Sequence, residues 1–306
     1  MRITNSLMSQ SFLSNLNKNS NKVFKYQEQL SSMKQISRPS DDPLKASKIL
    51  DLKNELKQND QYKTTINASI DFTNVQDAAL GSATNSLQNI SRLTQQAANG
   101  TYNEQDRQAI KTEIENEVAS MLDALNTSFG GRYVFGGQRS TEKPFTINKE
   151  DGNFSIEYSG SGDTINGNVS REISRGVTVE LQTDGNRLFE PKGDVGNISE
   201  VFNDLFTALE NNDTRALGGD VFQSIQTTMT NTVNMRTNIG AISNRLSAAK
   251  GRNESEYLNM AMALSTNQDI DLAETYMNYT MEMTAYQAAM QMGTRILQTN
   301  IMDYVR

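Results

Sequence analysis

The two ends of the chain most constrain what it can fold into. From Leu272 to Met290 the apolar or aromatic residues Leu272, Tyr276, Tyr279, Met283, Tyr286 and Met290 recur at alternating steps of four and three. That is the spacing of a coiled-coil seam. The stripe continues through Leu297, Ile301 and Tyr304. The first thirty residues carry a weaker version in Ile3, Leu7, Leu13, Leu16, Val23 and Leu30. A helix with one apolar stripe needs something to cover it. The ends are also matched in charge. Arg2, Lys18, Lys22, Lys25 and Lys34 against Glu28 give the first 34 residues +4. Arg295 and Arg306 against Asp269, Asp271, Glu274, Glu282 and Asp303 give the last 38 residues −3. Opposite charge along facing helices favours pairing. The chain is therefore expected to begin and end in helices that pack together, or against neighbouring copies, through these fifteen apolar residues.

Glycine and proline divide what lies between. Of 19 glycines, 12 fall between Gly130 and Gly196, whereas residues 44–129 hold only Gly81 and Gly100 and no proline. Both residues are costly inside helices, so long helices are expected on either side of a non-helical middle. Asp42-Pro43 predicts a helix start, with Asp at the N-cap and Pro at the first helical position. That helix runs toward Ala98 on a face with Leu80, Ala83, Leu87 and Ile90, and Asn99-Gly100 closes it in a left-handed cap. Asn103 and Asp106 start the next helix, to about Ser128. Strands are expected at 132–135, 145–148, 154–159, 170–173 and 177–183, with hairpin turns at Asp151-Gly152 and Asp184-Gly185. Asn197 and Glu200 form a capping pair that returns the chain to helix. A longer helix after Asp220, with Ile239, Ile242, Leu246 and Ala249 on one face, leads to a polar break at Ser265-Thr266-Asn267. The expected fold is mainly α with a small β insertion: a long antiparallel helical bundle or coiled coil with its N- and C-terminal helices paired. The expected parts are terminal helices at 1–36 and 268–306, a helical body at 37–130 and 197–267, and an inserted β subdomain at 131–196.

The chemistry is sparse. His, Cys and Trp are absent, which removes the commonest general base, the thiol nucleophile and most zinc sites. No catalytic, cofactor-binding or metal-binding residue is assigned, and an enzyme is not expected. Asp41-Asp42 and Asp269 with Asp271 are paired carboxylates, but they sit where helices begin and are assigned to capping. Gly160-Ser161-Gly162 lacks the Lys-Ser/Thr and helix of a phosphate loop. Net charge is −7, against a nucleic-acid partner. No run of 18 apolar residues predicts a membrane span. The polar start Met1-Arg2-Ile3-Thr4-Asn5 lacks the apolar core of a Sec signal.

Several segments resemble the flagellin superfamily. They are Arg38-Pro-Ser-Asp-Asp-Pro43 before a long helix, Gln95-Gln-Ala-Ala-Asn-Gly-Thr-Tyr-Asn-Glu-Gln-Asp-Arg107, and the stretch from Asp269 through Ala285-Tyr-Gln-Ala-Ala289 to Asp303-Tyr-Val-Arg306. Gly130-Gly-Arg-Tyr-Val-Phe-Gly-Gly137 with Thr141-Glu-Lys-Pro-Phe145, and Tyr158-Ser-Gly-Ser-Gly162 with Leu188-Phe189, resemble the hook-associated, FlgL-type branch. The resemblance implies a flagellin-like fold and a structural role at the junction of hook and filament. It also implies export through the flagellar type III apparatus, terminal helices that order on assembly, and heterologous contacts of the kind that build open helical arrays. The implied partners are the hook-associated protein FlgK, flagellin, copies of the chain itself and an FlgN-type export chaperone that holds the C-terminal helix. A short filament flagellin is the alternative within the superfamily. A secreted hydrolase in residues 131–196 would need a nucleophile–base pair that the segment lacks. A coiled-coil scaffold unrelated to motility would leave the shared segments unexplained.

Overall fold

The computed structural model describes residues 5–150, 153–160, 167–189 and 197–302. The chain forms eight helices among these residues: α1 Asn5–Ser32, α2 Pro43–Ala97, α3 Glu104–Leu125, α4 Asn186–Phe189, α5 Ile198–Glu210, α6 Thr214–Gly218, α7 Asp220–Gln268 and α8 Leu272–Met302. Three antiparallel hairpins lie between α3 and α4: β1 Ser128–Phe129 with β2 Arg132–Tyr133, β3 Phe145–Glu150 with β4 Asn153–Tyr158, and β5 Val169–Ser174 with β6 Val177–Leu181. The fold is mainly α with a small β insertion, as the sequence predicts.

The chain divides into two compact units, residues 59–254 and residues 1–58 with 255–306. In the first unit, α2 buries the predicted face of Leu80, Ala83, Leu87 and Ile90, and α7 buries Ile239, Leu246 and Ala249 with Ile242 half-buried. Hydroxyls on the buried faces bond back to the preceding turn, Thr84 to the Leu80 carbonyl at 2.7 Å and Thr94 to that of Ile90 at 2.8 Å. They therefore cost the long helix α2 little. Capping boxes form at Asn103 with Asp106 and at Asn197 with Glu200. α5 packs Phe202, Leu205 and Phe206 into the same hydrophobic cluster.

The β residues share this cluster. Phe135, Phe145, Ile156 and Ile173 are among its most buried side chains. The Phe154 ring lies 4.5 Å from that of Phe206 on α5. The Ile156 N–H donates to Ser199 Oγ at 2.8 Å. From α2, the buried Gln76 amide donates to the Val134 carbonyl at 3.0 Å and the Gln182 carbonyl at 2.7 Å, tying both flanks of the insertion to the helix. Residues 131–196 are thus an insertion in the sequence without a separate core.

Some local expectations shift. Gly130 and Gly131, at φ 60° and 77°, make the two-residue turn between β1 and β2, so α3 stops at Leu125 rather than Ser128. The β5–β6 turn falls at Arg175-Gly176, where Gly176 has φ 72°. Asp184-Gly185 is therefore no hairpin turn. Instead the buried Asp184 carboxylate accepts from the Tyr158 hydroxyl at 3.1 Å and the Asn186 N–H at 2.9 Å, opening α4. β3 and β4 pair as far as Glu150 with Asn153; the intervening Asp151-Gly152 lies outside the described residues. Gly100 is not left-handed, because Asn99 Oδ1 closes the end of α2 by accepting from the Thr101 N–H at 3.2 Å. α7 runs through Ser265-Thr266-Asn267 to Gln268, with the Thr266 and Asn267 side chains bonded to carbonyls one turn back.

In the second unit, the α1–α2 and α7–α8 connections lie side by side. Lys34 and Asp269 form an antiparallel bridge, the Gln35 N–H donates to the Gln268 carbonyl at 2.7 Å, and the Ile270 N–H to that of Met33 at 3.4 Å. The carboxylates act as caps: Asp42 accepts from the Lys45 N–H at 3.0 Å and Asp271 from the Glu274 N–H at 3.1 Å.

Candidate assembly surface

The terminal helices pair, and their contact face follows heptad spacing. On α1 the face turned inward is Ser9, Phe12, Leu16, Asn19, Val23, Tyr26 and Leu30, separated by alternating steps of three and four. On α8 it is Thr275, Tyr279, Glu282, Tyr286, Ala289 and Gly293. Phe12 fills the space left by the missing side chain at Gly293, where a Cβ would collide with the ring. Near the middle, Lys22 Nζ meets Glu282 Oε1 at 2.8 Å. The hydrogen bond and charge of Glu282 hold the Lys22 ammonium above the ordinary lysine value. This ion pair expresses the charge contrast between the two ends.

The paired face coincides with only part of the predicted stripe. Val23 is buried, and Leu16, Leu30, Tyr279, Met283 and Tyr286 are half-buried against the partner helix. Leu7 and Leu13 are outside the contact at 55% and 54% exposed, and Leu272, Tyr276 and Met290 at 54%, 60% and 49%. Leu297 and Ile301 are in α8, where side chains are not described, and Ile3 and Tyr304 lie outside the described residues. The inward face rotates away from the stripe because a small residue, Gly293, and a charged one, Glu282, make the close contacts. Large apolar residues counted alone give no sign of Glu282 or Gly293, and Phe12 and Tyr26 fall between the members of the stripe from Ile3 to Leu30. The 12-16-19-23-26-30 spacing was the signal available for α1.

The pair therefore has one face closed and another open. Beyond the stripe residues, Phe24 on α1 and Met277, Met281 and Met292 on α8 are each more than 60% exposed. Large apolar side chains exposed in this number on one helix pair mark an interaction site rather than a folding core, and methionine packs against partners of irregular shape. Among the described residues no group of three or more His, Cys, Asp or Glu is placed to hold a metal ion. No described helix is long and apolar enough to cross a membrane.

Comparison with known proteins agrees with this architecture. Residues 3–140 match the family described as the bacterial flagellin N-terminal helical region. Flagellar hook-associated protein 3 of Escherichia coli K12 is 27% identical over 306 residues, covering 94% of this chain and 95% of its own. The crystal structure of Bacillus cereus FlgL is 25% identical, covers 70% of this chain and 99% of its own, and superposes with a TM-score of 0.57. The flagellar junction protein FlgL from Legionella pneumophila, 14% identical, shares the fold over 73% of this chain and 100% of its own, with a TM-score of 0.58. The chain carries the bacterial flagellin N-terminal helical region and is similar along nearly its whole length to flagellar hook-associated proteins of the FlgL type.

Proposed function

We propose that this protein forms the junction between hook and filament of the bacterial flagellum, assembling through its terminal helices. The observation that carries the reading is the open apolar face of the α1–α8 pair, which includes Leu7, Leu13, Leu272, Tyr276 and Met290. An isolated helix pair with so much apolar surface in water gains stability by covering it, and copies arranged around an axis cover it on one another. In this reading Ile3, Leu297, Ile301 and Tyr304 also take part in assembly. The neighbours are the hook-associated protein FlgK on one side, flagellin on the other, and copies of the chain laterally. An FlgN-type chaperone covers the C-terminal helix before export through the flagellar type III apparatus, and the assembled protein is extracellular. The role is structural, without catalysis, and takes no nucleic acid or membrane as partner.

Deleting the protein from a motile strain should leave hooks in place while unpolymerised flagellin appears in the medium. Wild-type protein should restore filaments and Tyr276→Asp should not, because a buried unpaired charge costs several kcal/mol. Normal filaments in the deletion strain overturn the junction role. Full motility with Tyr276→Asp overturns the open face as the assembly surface.

A further inference from the structure

Methionine supplies all the sulfur in this chain, which has 14 methionines and no cysteine. The two compact units treat it in opposite ways. In residues 59–254, Met121 and Met235 are 1% and 6% exposed and Met229 is half-buried. In the unit of the terminal helices, Met277, Met281 and Met292 of α8 are 61%, 63% and 64% exposed. Met8, Met33, Met262 and Met290 of the same unit are exposed as well. Oxidation of a thioether in a folded protein follows its access to solvent, so an oxidant reaches this unit and spares the core of the other.

The three α8 methionines share a side of the helix. Met277, Met281, Ala288 and Met292 follow one another at steps of four, seven and four, the spacing of a single stripe. That stripe is separate from the inward face of Thr275, Tyr279, Glu282, Tyr286, Ala289 and Gly293, and from Tyr276 and Met290 on the other flank. α8 is therefore apolar on both flanks of its contact with α1, a pattern that fits a helix enclosed by neighbours. Conversion to sulfoxide makes such a side chain polar, and burying an unpaired polar group costs free energy.

We propose that Met277, Met281 and Met292 are an oxidation site: a peroxide-class oxidant converts them to methionine sulfoxide, which blocks assembly and leaves the unit of residues 59–254 folded. The inference rests on assembly through the terminal helices and adds a way to stop it. In the reaction the thioether sulfur attacks one peroxide oxygen, the O–O bond breaks, and the other oxygen leaves as water. A methionine sulfoxide reductase reverses the change, taking two electrons from a thiol pair and releasing the oxygen as water. Hydrogen peroxide added to the folded full-length protein, followed by peptide mass spectrometry, tests the first half. Met277, Met281 and Met292 should gain oxygen about tenfold faster than Met121 and Met235, with the main melting transition unchanged. Equal rates overturn the proposal, as does loss of that transition while Met121 and Met235 remain unmodified. For the second half, the triple variant Met277→Gln, Met281→Gln, Met292→Gln imitates the polar sulfoxide, and Met277→Leu, Met281→Leu, Met292→Leu keeps the side apolar. In a strain lacking the wild-type protein, the first variant should lose motility and the second should rescue it. Full motility with the first overturns the proposal, and so does failure of the second to rescue. Loss of helical circular dichroism in the first counts against it in the same way, since the substituted side chains are exposed. If the first variant is motile while Tyr276→Asp is not, only the methionine side is wrong. If both are motile, the terminal-helix reading fails with it.

Discussion

Gly293 decides how closely the terminal helices approach. It leaves room on the inward face of α8 for a ring from α1, and Phe12 occupies that room. Gly293→Ala should loosen the pair by about 1–3 kcal/mol, the usual cost of overpacking a filled site. Hydrogen exchange along α1 and α8 should speed up accordingly. Adding Phe12→Ala should recover part of the loss, since it empties the space the new methyl needs; a loss that adds instead would show that the two do not touch. Tyr286 and Met290, four residues apart, should behave differently for the same reason of placement. Tyr286 faces α1 and Met290 faces solvent. Tyr286→Asp should both open the helix pair and abolish assembly, whereas Met290→Asp should abolish assembly with hydrogen exchange in α1 unchanged. Equal exchange behaviour in the two variants would contradict the observed rotation of α8.

Among the elements, the α2–α7 pair carries an asparagine layer. Asn59 Nδ2 donates to the Asn253 carbonyl at 3.3 Å and Asn253 Nδ2 to the Asn59 carbonyl at 3.0 Å, and both side chains are buried. Each Oδ1 has no partner among the described residues. Two orphaned buried acceptors cost stability, while reciprocal bonds between helices define their register. Replacing both with leucine should raise the melting temperature by an amount corresponding to about 1–2 kcal/mol. If register depends on the layer, cysteine pairs across α2 and α7 that cross-link at one spacing in the wild type will cross-link at several in the double variant. The α1–α8 pair instead uses Lys22 and Glu282. Since Glu282 raises the Lys22 pKa, this contribution is complete below the ordinary lysine value and is lost as pH climbs through the raised one. Pairing should be flat through neutral pH and weaken only in strongly alkaline solution, with the alkaline loss smaller in Lys22→Gln. The ion pair is exposed on the lysine side, so added salt should diminish it as well. Loss of pairing around neutral pH would point to another titrating group.

For the whole molecule, the shared core sets what can be removed. Deleting residues 132–194 would take Phe135, Phe145, Phe154 and Ile156 from one continuous cluster and leave Phe202, Phe206 and the buried Gln76 uncovered. The deleted protein should aggregate, or unfold at a much lower temperature, since losing several large side chains from a core costs several kcal/mol each. A soluble, cooperatively melting helical remainder would mean that the helices are self-sufficient. The division we propose, with terminal helices at 1–36 and 268–306, a helical body at 37–130 and 197–267 and a β insertion at 131–196, then describes the path of the chain rather than independent folding units.

The sequence by itself determined the elements whose causes are local. Proline and glycine placement bounded α2, the Asn103 and Asn197 capping boxes set where α3 and α5 begin, and strand alternation located five of the six strands, β2 to β6, but neither β1 nor the turn at Arg175-Gly176. It also determined that the two ends carry matched charge and apolar stripes. What the tertiary structure decided was which side of each stripe faces inward. That choice depends on close packing between distant residues, Phe12 into the gap at Gly293 and Lys22 against Glu282, and a glycine and a glutamate carry no signal when apolar residues alone are counted. The same holds for the β insertion: alternation predicts a strand, but only the fold shows that Phe154 seeks Phe206 and Gln76 reaches two carbonyls on the insertion. Local propensity acts over a few residues, whereas burial is settled by partners about fifty to several hundred positions away, and those partners come together only in the folded chain.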